Sequence, residues 1–332
     1  MHFPSEESEL IAQLQSILGH MDNDIYEAGI GDDAAVRRCT DNRIVLTTDL
    51  TVENVHFTTE LMTLEEVGYR AMVSNVSDCA AMGALPEAAL VQLVFPDGDS
   101  KAKDKIKEIY KGFSKACRKW DFPVIGGDLS RGCHWVIGIT LLGRIPDGSR
   151  PVMRRGAKTG DFLWLSGMPG MSAAGFEALK NWGREGVPAQ YCSLVDAHIT
   201  PEPRVEYGLS LALCEEVHAM MDLSDGISKD AATLGFENSL GVLLDLHSLQ
   251  PPNAMVRLSQ ELKCSWLDWV LHGGEEYELL FAASPSFEPG KIEMNQAVCI
   301  GKFTDRFKGV RILQNGMENE IQLKSWDHFR KV

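Results

Sequence analysis

The chain lacks most of what would tie it to a redox centre, a zinc site, a membrane or a nucleic acid. Its eight cysteines, at positions 39, 79, 117, 133, 192, 214, 264 and 299, form no CxxC pair, so zinc and dithiol readings fail on spacing. Scattered thiols in a chain this large read as reduced core or surface groups. The longest apolar run, Trp135 to Leu142, is far below the roughly 18 residues that a spanning helix needs, and no membrane partner is expected. Met1 to Leu10 is polar and acidic with no basic or apolar leader region, so a cytoplasmic location is expected. Basic residues are few: 32 Lys and Arg against 47 Asp and Glu leave a net charge of -15. That field repels a polyanion such as DNA, and no basic run with interleaved aromatics offsets it. An anionic substrate must arrive with metal ions or meet a local basic spot.

Several phosphate-handling motifs are also missing. There is no G-x-x-x-x-G-K-[ST], no H-R-D or D-F-G set, and no G-x-S-x-G. Gly29-Ile30-Gly31-Asp32-Asp33-Ala34 fits the relaxed dinucleotide pattern G-x-G-x-x-G/A, but its two carboxylates would face the pyrophosphate and a strand is expected to follow. Asp222 to Asp225 is no EF-hand, because the loop glycine and the final glutamate fall in the wrong places.

What is present is an ordinary globular composition, 44% hydrophobic and 24% charged, over a length that suits two domains of about 150 residues each. The turn cluster Pro146-Asp147-Gly148-Ser149 places the boundary, giving residues 1–150 and 151–332. In the first half the spacing predicts helices over Glu6–Leu18, Thr63–Gly83 and Ser100–Trp120. It predicts strands at Arg43–Thr48 (ending on Asp49), Glu87–Phe95, Phe122–Ile125 (buried, ending on Gly126-Gly127-Asp128) and His134–Arg144. In the second half it predicts strands at Asp161–Leu165, Leu240–Leu246, Tyr277–Ala283 and Val298–Phe303. Helices are expected from Ser172, over Pro203–Met220, and after Asp222-Leu223-Ser224-Asp225-Gly226. Interleaved strands and helices make each half α/β or α+β. The Gly167-Met168-Pro169-Gly170 turn before Ser172 reads equally as a phosphate cradle at a helix N-terminus or as a plain strand-to-helix turn.

The recurrent feature is a carboxylate at a strand end, a glycine turn or a crowd of small residues: Asp33, Asp49, Asp78, Asp128, Asp222 and Asp225. Any one alone reads as a turn or capping aspartate. The adjacent pair Asp32-Asp33 would repel by roughly 1 to 4 kcal/mol, a cost that a cation reverses. Mg²⁺ takes one or two protein carboxylates per ion, so six imply several ions and a polyphosphate substrate such as ATP.

Gly29-Ile30-Gly31-Asp32-Asp33-Ala34-Ala35, Thr47-Thr48-Asp49 with Val55-His56-Phe57, and Asn75-Val76-Ser77-Asp78-Cys79-Ala80-Ala81-Met82-Gly83-Ala84 carry the first half of a clear resemblance. Gly126-Gly127-Asp128, Asp222-Leu223-Ser224-Asp225-Gly226, Gly273-Gly274-Glu275-Glu276-Tyr277-Glu278-Leu279 and the terminal Trp326-Asp327-His328-Phe329 complete it. In this order, over nearly the whole chain, they resemble the thiamine-monophosphate kinase family. The resemblance implies the two-domain fold of aminoimidazole ribonucleotide synthetase, with an N-terminal α/β domain that dimerises through its sheet and binds Mg²⁺ and ATP. A C-terminal α/β domain completes the site. It implies an enzyme that makes thiamine diphosphate from ATP and thiamine monophosphate, and a homodimer.

Carried over, Asp33, Thr47, Thr48, Asp49, Asp78, Asp128, Asp222 and Asp225 match the family's Mg²⁺ positions. Gly127, Asp128, Arg154 and Ser224 match its ATP contacts, with Tyr110 an aromatic candidate beside the nucleotide. His56, Glu275 and Trp326 match the positions that hold thiamine monophosphate, whose thiazolium cation suits an aromatic face and a carboxylate. Turnover is expected to depend on Asp49, Asp128 and Arg154. The chain departs from the pattern at Glu276, where aspartate is usual, at Asn54, where glycine is common, and at Leu50-Thr51. Two alternatives stand beside this reading: another ATP-dependent enzyme of the superfamily, of the aminoimidazole ribonucleotide synthetase type, and a nucleotide-binding protein without turnover. A selenophosphate synthetase would need a cysteine near its N-terminal glycine-rich segment, and a carbamoyl dehydratase a C-terminal one. Here the first cysteine is Cys39 and the chain ends Phe329-Arg330-Lys331-Val332.

Overall fold

In a computed structural model, residues 26–28, 32–38, 43–98, 100–322 and 324 are described. The predicted helix Glu6–Leu18 lies outside them. The first sheet contains β1 (Tyr26–Ala28), β2 (Ala35–Arg38), β3 (Arg43–Val52), β4 (Leu85–Pro96), β5 (Val124–Gly132) and β6 (Val136–Arg144), in the order β1-β2-β3-β6-β4-β5. All its pairings are antiparallel except β4 with β5. Helices α1 (Leu64–Ala81) and α2 (Ala102–Trp120) connect into and out of β4. Thr63 starts α1 with a capping box: its hydroxyl accepts from the Glu66 N–H at 3.3 Å while the Glu66 carboxylate accepts from the Thr63 N–H at 2.8 Å.

The second sheet contains β7 (Phe162–Leu165), β8 (Val217–Leu223), β9 (Gly241–Leu244), β10 (Glu278–Ala283), β11 (Val298–Thr304), β12 (Gly309–Gln314) and β13 (Met317–Glu320). Its order is β13-β12-β9-β11-β7-β10-β8, antiparallel except for β9 with β12. Helices α3 (Met171–Trp182), α4 (Cys192–Ile199), α5 (Val205–Ala212), α6 (Ile227–Glu237), α7 (Asn253–Glu261) and α8 (Trp266–His272) accompany it. Two apolar cores meet on this sheet. Met220, Leu279, Phe281 and Ala283 join the core that contains α1 and the first sheet, while their strand neighbours Met221, Leu280 and Ala282 join a second core with α6 and α7. The period-2 alternation of a strand thus sends successive residues into different cores. Helix α1 is buried nearly all round because it sits between the two layers.

The mixed α/β class holds, with three local corrections. β3 continues to Val52, so Asp49 lies inside a strand opposite Ile139 and not at its end. Gly126-Gly127-Asp128 likewise lies inside β5, which is an exposed edge strand and not a short buried one. The helix expected over Pro203–Met220 ends at Ala212, and Val217–Leu223 is β8. A strand buried on both faces shows a continuous apolar run without alternation, which periodicity does not separate from a helix. Among the described residues no helix is long and apolar enough to cross a membrane.

Candidate active site

A cleft of about 1120 Å³ opens between the two layers, large enough for two small-molecule substrates. On one side, β3 brings Thr47, Thr48 and Asp49, α1 brings Asp78, and the segment before β2 brings Asp32 and Asp33. From the second layer come Arg154, Asp222 at the end of β8, Ser224, Asp225 and Glu275.

Carboxylate oxygens of Asp33, Asp78 and Asp222 lie within 4.8 Å of one another. Each acid is held by its own donor. Thr47 Oγ1 donates to Asp78. Ser77 Oγ donates to Asp222 Oδ2 at 2.8 Å. Arg154 forks onto Asp33, with Nε on Oδ2 at 2.8 Å and Nη2 on Oδ1 at 2.7 Å, and its backbone N–H donates to Asp32 Oδ1 at 2.7 Å. Burial pushes the Asp78 carboxyl well above the usual carboxylate range, and the neighbouring charges of Asp49, Asp222 and Asp33 push it further. Asp222 is likewise well raised by burial and by Asp33, and Asp49 is raised by burial against a hydrogen bond from Ser74. Asp49, Asp78 and Asp222, whose surroundings oppose their ionisation, form with Asp33 a donor set of hard oxygens, and a divalent cation would relieve their repulsion. The Asp222–Asp225 turn is braced from behind: buried Asp230 accepts from the Asp225 N–H at 3.0 Å, and Lys229 Nζ pairs with Asp225 Oδ2 at 2.8 Å.

His56 lines the same cleft, at the end of a tight turn in which Asn54 N–H donates to Phe57 O at 2.8 Å. Its Nδ1 accepts from the Val52 N–H at 3.1 Å, which leaves the ring proton on Nε2 in the neutral imidazole. Asn54 has φ of 64°, a left-handed conformation that asparagine tolerates better than most residues, so this departure from glycine keeps the turn. Glu276 has a different role. Its buried carboxylate accepts from the backbone N–H groups of Ser172 at 3.2 Å and Ala173 at 3.3 Å, the first turn of α3. The Gly167–Gly170 turn is therefore capped from within the protein, which decides against a phosphate cradle there. Burial raises the Glu276 carboxyl to about 8, against the opposing effect of those N–H donors.

Not every expected residue reaches the cleft. Gly127 and Asp128 lie on β5, and the register Asp128–Gln92–Gly138–Leu50 puts Asp128 three strands from β3, about 14 Å at 4.8 Å per strand. Tyr110 packs edge-on to Phe113 within α2, with ring centroids 5.0 Å apart. Trp326 lies outside the described residues, although Lys324 is on the cleft wall. Thr48 lines the cleft, but its hydroxyl meets Thr140 Oγ1 at 3.3 Å, on the sheet face opposite to Thr47 and Asp49.

The cleft also contains residues that the motifs did not single out: Arg70 and Ser74 on α1, Phe176 on α3, His198 on α4, and Trp269 and His272 on α8. A signal existed for some of them. Arg70, Ser74, Ser77 and Asp78 recur at helical spacing as a polar stripe through an otherwise apolar helix.

Comparison with known proteins bears on this geometry. Residues 31–145 match the N-terminal domain, and residues 158–312 the C-terminal domain, of the AIR synthase related protein family. The thiamine-monophosphate kinase of Salmonella typhimurium is 32% identical over 311 residues, 91% of this chain and 92% of that protein. The solved structure of AaThiL complexed with AMPPCP and TMP superposes with a TM-score of 0.84 at 29% identity, covering 99% of this chain and 100% of that one. The thiamine monophosphate kinase of Aquifex aeolicus gives a TM-score of 0.79 at 28% identity over 96% of this chain and 99% of its own. With its paired domains, its ordered acidic turns and a convergent carboxylate cleft, the chain belongs to the thiamine-monophosphate kinases, enzymes of the AIR synthase-related family.

Proposed function

We propose that the cleft transfers the γ-phosphoryl group of ATP directly to the phosphate of thiamine monophosphate, giving ADP and thiamine diphosphate. The observation that carries this is the convergence of the Asp33, Asp78 and Asp222 oxygens within 4.8 Å, an arrangement suited to Mg²⁺ beside a polyphosphate. Asp33, Asp49, Asp78, Asp222 and Asp225, with Thr47, would hold Mg²⁺, which when bound neutralises charge on the transferring phosphoryl group and aligns it. The acceptor is a phosphate monoester with a second pKa near 6, already mostly ionised at neutral pH, so no residue needs to act as a base. Arg154, fixed by Asp33 and Asp32 at the rim of the cluster, supplies the positive charge that lets two anions approach in line. Ser224 stands at the nucleotide side. His56, Glu275 and Trp326 take the thiamine end. No phosphoenzyme forms.

The same reading assigns residues 1–150 to Mg²⁺, ATP and dimerisation and residues 151–332 to completing the site. The face of the first sheet away from α1 carries Thr48, Leu50 and Gln92, and Asp128 lies on it in register with the last two. A second copy covers this face in our reading. Gly127 and Asp128 then serve nucleotide at a site completed across the interface, because they lie too far from Asp49 to share its ions within one protomer.

The test is ³¹P NMR of the protein with MgATP and thiamine monophosphate. ADP and a new diphosphate pair, dependent on Mg²⁺ and on the monophosphate, are expected. Inorganic phosphate without that product would point to a ligase-type relative, and no ATP consumption to a binding protein.

A further inference from the structure

We propose that Lys158 is a covalent modification site for activated acyl groups, with His218 as the base that takes the proton its amine releases and Asp161 as the carboxylate that holds the base. None of the three lines the cleft, and the site is independent of the kinase reading. Lys158 Nζ lies 3.3 Å from His218 Nε2, and His218 Nδ1 lies 2.7 Å from Asp161 Oδ2. An ammonium only donates, so Nε2 accepts, and the ring proton sits on Nδ1 and goes to Asp161. The ring is therefore neutral, with a lone pair directed at Nζ. Carboxylate, imidazole and nucleophile stand in the order that activates a serine in acyl transfer, with an amine in the third place.

Burial falls along this relay. The Asp161 side chain is 4% exposed and that of His218 16%, whereas Lys158 is exposed, where a soluble donor can reach it. The backbone fixes all three. Asp161 Oδ2 also accepts from the Lys158 N–H at 2.7 Å, and the Asp161 N–H donates to Lys158 O at 3.0 Å, closing the turn between them. β11 clamps that turn: the Gly160 N–H donates to Phe303 O at 3.0 Å, and the Phe303 N–H to Asp161 O at 2.8 Å. On the other side Gly156 lies against β8, where a Cβ would stand 2.2 Å from His218 O. Other lysines are set differently. Lys107, Lys119, Lys180, Lys229 and Lys291 each pair with a carboxylate, which accepts hydrogen bonds from an ammonium but is too weak a base to take its proton. Lys158 meets a nitrogen that does take one.

The donor is an acyl phosphate or an acyl thioester. In its neutral form the amine gives one N–H to Nε2 and keeps its lone pair for the acyl carbon. As the N–C bond forms, that proton passes to Nε2, and the C–O bond to phosphate or the C–S bond to the thiol breaks, the electron pair leaving with phosphate or thiolate. The imidazolium is held by Asp161 until it returns its proton to solvent. Lys158 is left as an uncharged amide.

The experiment incubates the full chain separately with acetyl phosphate and with acetyl-CoA and follows each lysine by peptide mass spectrometry. Lys103 and Lys111, exposed on α2, are the internal references. Lys158 is expected to be acetylated on the order of tenfold faster than either, and the donor that gives this ratio names the acyl class. In His218→Gln, which keeps a hydrogen-bond acceptor that cannot take a proton, Lys158 should fall to the reference rate while Lys103 and Lys111 stay unchanged. Wild-type Lys158 that reacts no faster than the references with both donors would overturn the site. So would a His218→Gln protein with wild-type reference rates and an undiminished rate at Lys158.

Discussion

At the scale of single residues, the site is a set of acids in surroundings that oppose their charge. Asp222 is 3% exposed and its folded pKa lies well above its unfolded one, so without a cation it costs stability at neutral pH, a cost that shrinks as pH falls from the folded value and is gone only below the unfolded one. Asp222→Asn keeps an oxygen for Ser77 and removes the charge. In EDTA the variant is expected to melt a few degrees above wild type, roughly 2–4 °C per kcal/mol relieved. MgCl2 should then raise the melting temperature of wild type but not of the variant, whose turnover should fall by at least about a thousandfold. Equal stabilisation of both proteins by Mg²⁺ in a thermal-shift titration would remove Asp222 from the metal site.

Glu276 gives a second pH effect. Its folded value of about 8 exceeds the ordinary 4.5, so the native state binds more protons than the unfolded one between these values. Stability therefore falls as pH rises through that window, with a slope of at most about 1.4 kcal/mol per pH unit. Glu276→Gln should flatten the melting temperature between pH 5 and 8, and an unchanged slope would assign it to other groups. Asp33, Asp49, Asp78 and Asp222 were legible in the sequence because an aspartate in a glycine turn, beside a strand or among small residues is conspicuous. Arg70 showed only as part of a polar stripe on α1, and His198 not at all, because neither residue's partner is near it in sequence.

At the scale of elements, the crossing of α1 and α2 sets where Asp78 and Arg70 point. A Cβ on Gly68 would lie 2.2 Å from Ile109 O, and one on Gly112 would lie 2.0 Å from Glu65 O, so each helix presents a glycine to the backbone of the other. Gly112→Ala has to push the helices apart and is expected to cost about 1–3 kcal/mol, read by urea denaturation. A midpoint unchanged from wild type would mean that the crossing is not this tight. The extent of α1 was legible from helical spacing over Thr63–Gly83, and the limits of β7, β10 and β11 from their apolar runs. β8 was not, because both its faces are buried.

At the scale of the whole molecule, Leu50, Ile125 and Leu129 are 63%, 62% and 52% exposed around the first sheet, an unusual concentration of large apolar side chains in solvent. If a second copy covers the face that carries Leu50, Leu50→Asp is expected to shift the proposed dimer to monomers in sedimentation velocity. A variant with the same association state as wild type would show that this face is not the contact. No residue pattern announced this surface: exposure on β5 follows from its place at the sheet edge.

The sequence by itself determined the chemistry on offer and the family that uses it. Carboxylates in glycine turns, the missing phosphate-loop and zinc motifs, and the ordered run of acidic signatures are local, and local chemistry is written in neighbouring residues. Tertiary structure alone decided which of those groups meet. Asp33, Asp78 and Asp222 are far apart in the chain and close in space, whereas Asp128 is three strands from Asp49 despite an equally strong motif. The Asp161–His218–Lys158 relay likewise exists only once the segment around Gly156 is laid against β8. Coulomb and hydrogen-bond energies act over a few ångströms, and strand order and register, not sequence spacing, set distances on that scale.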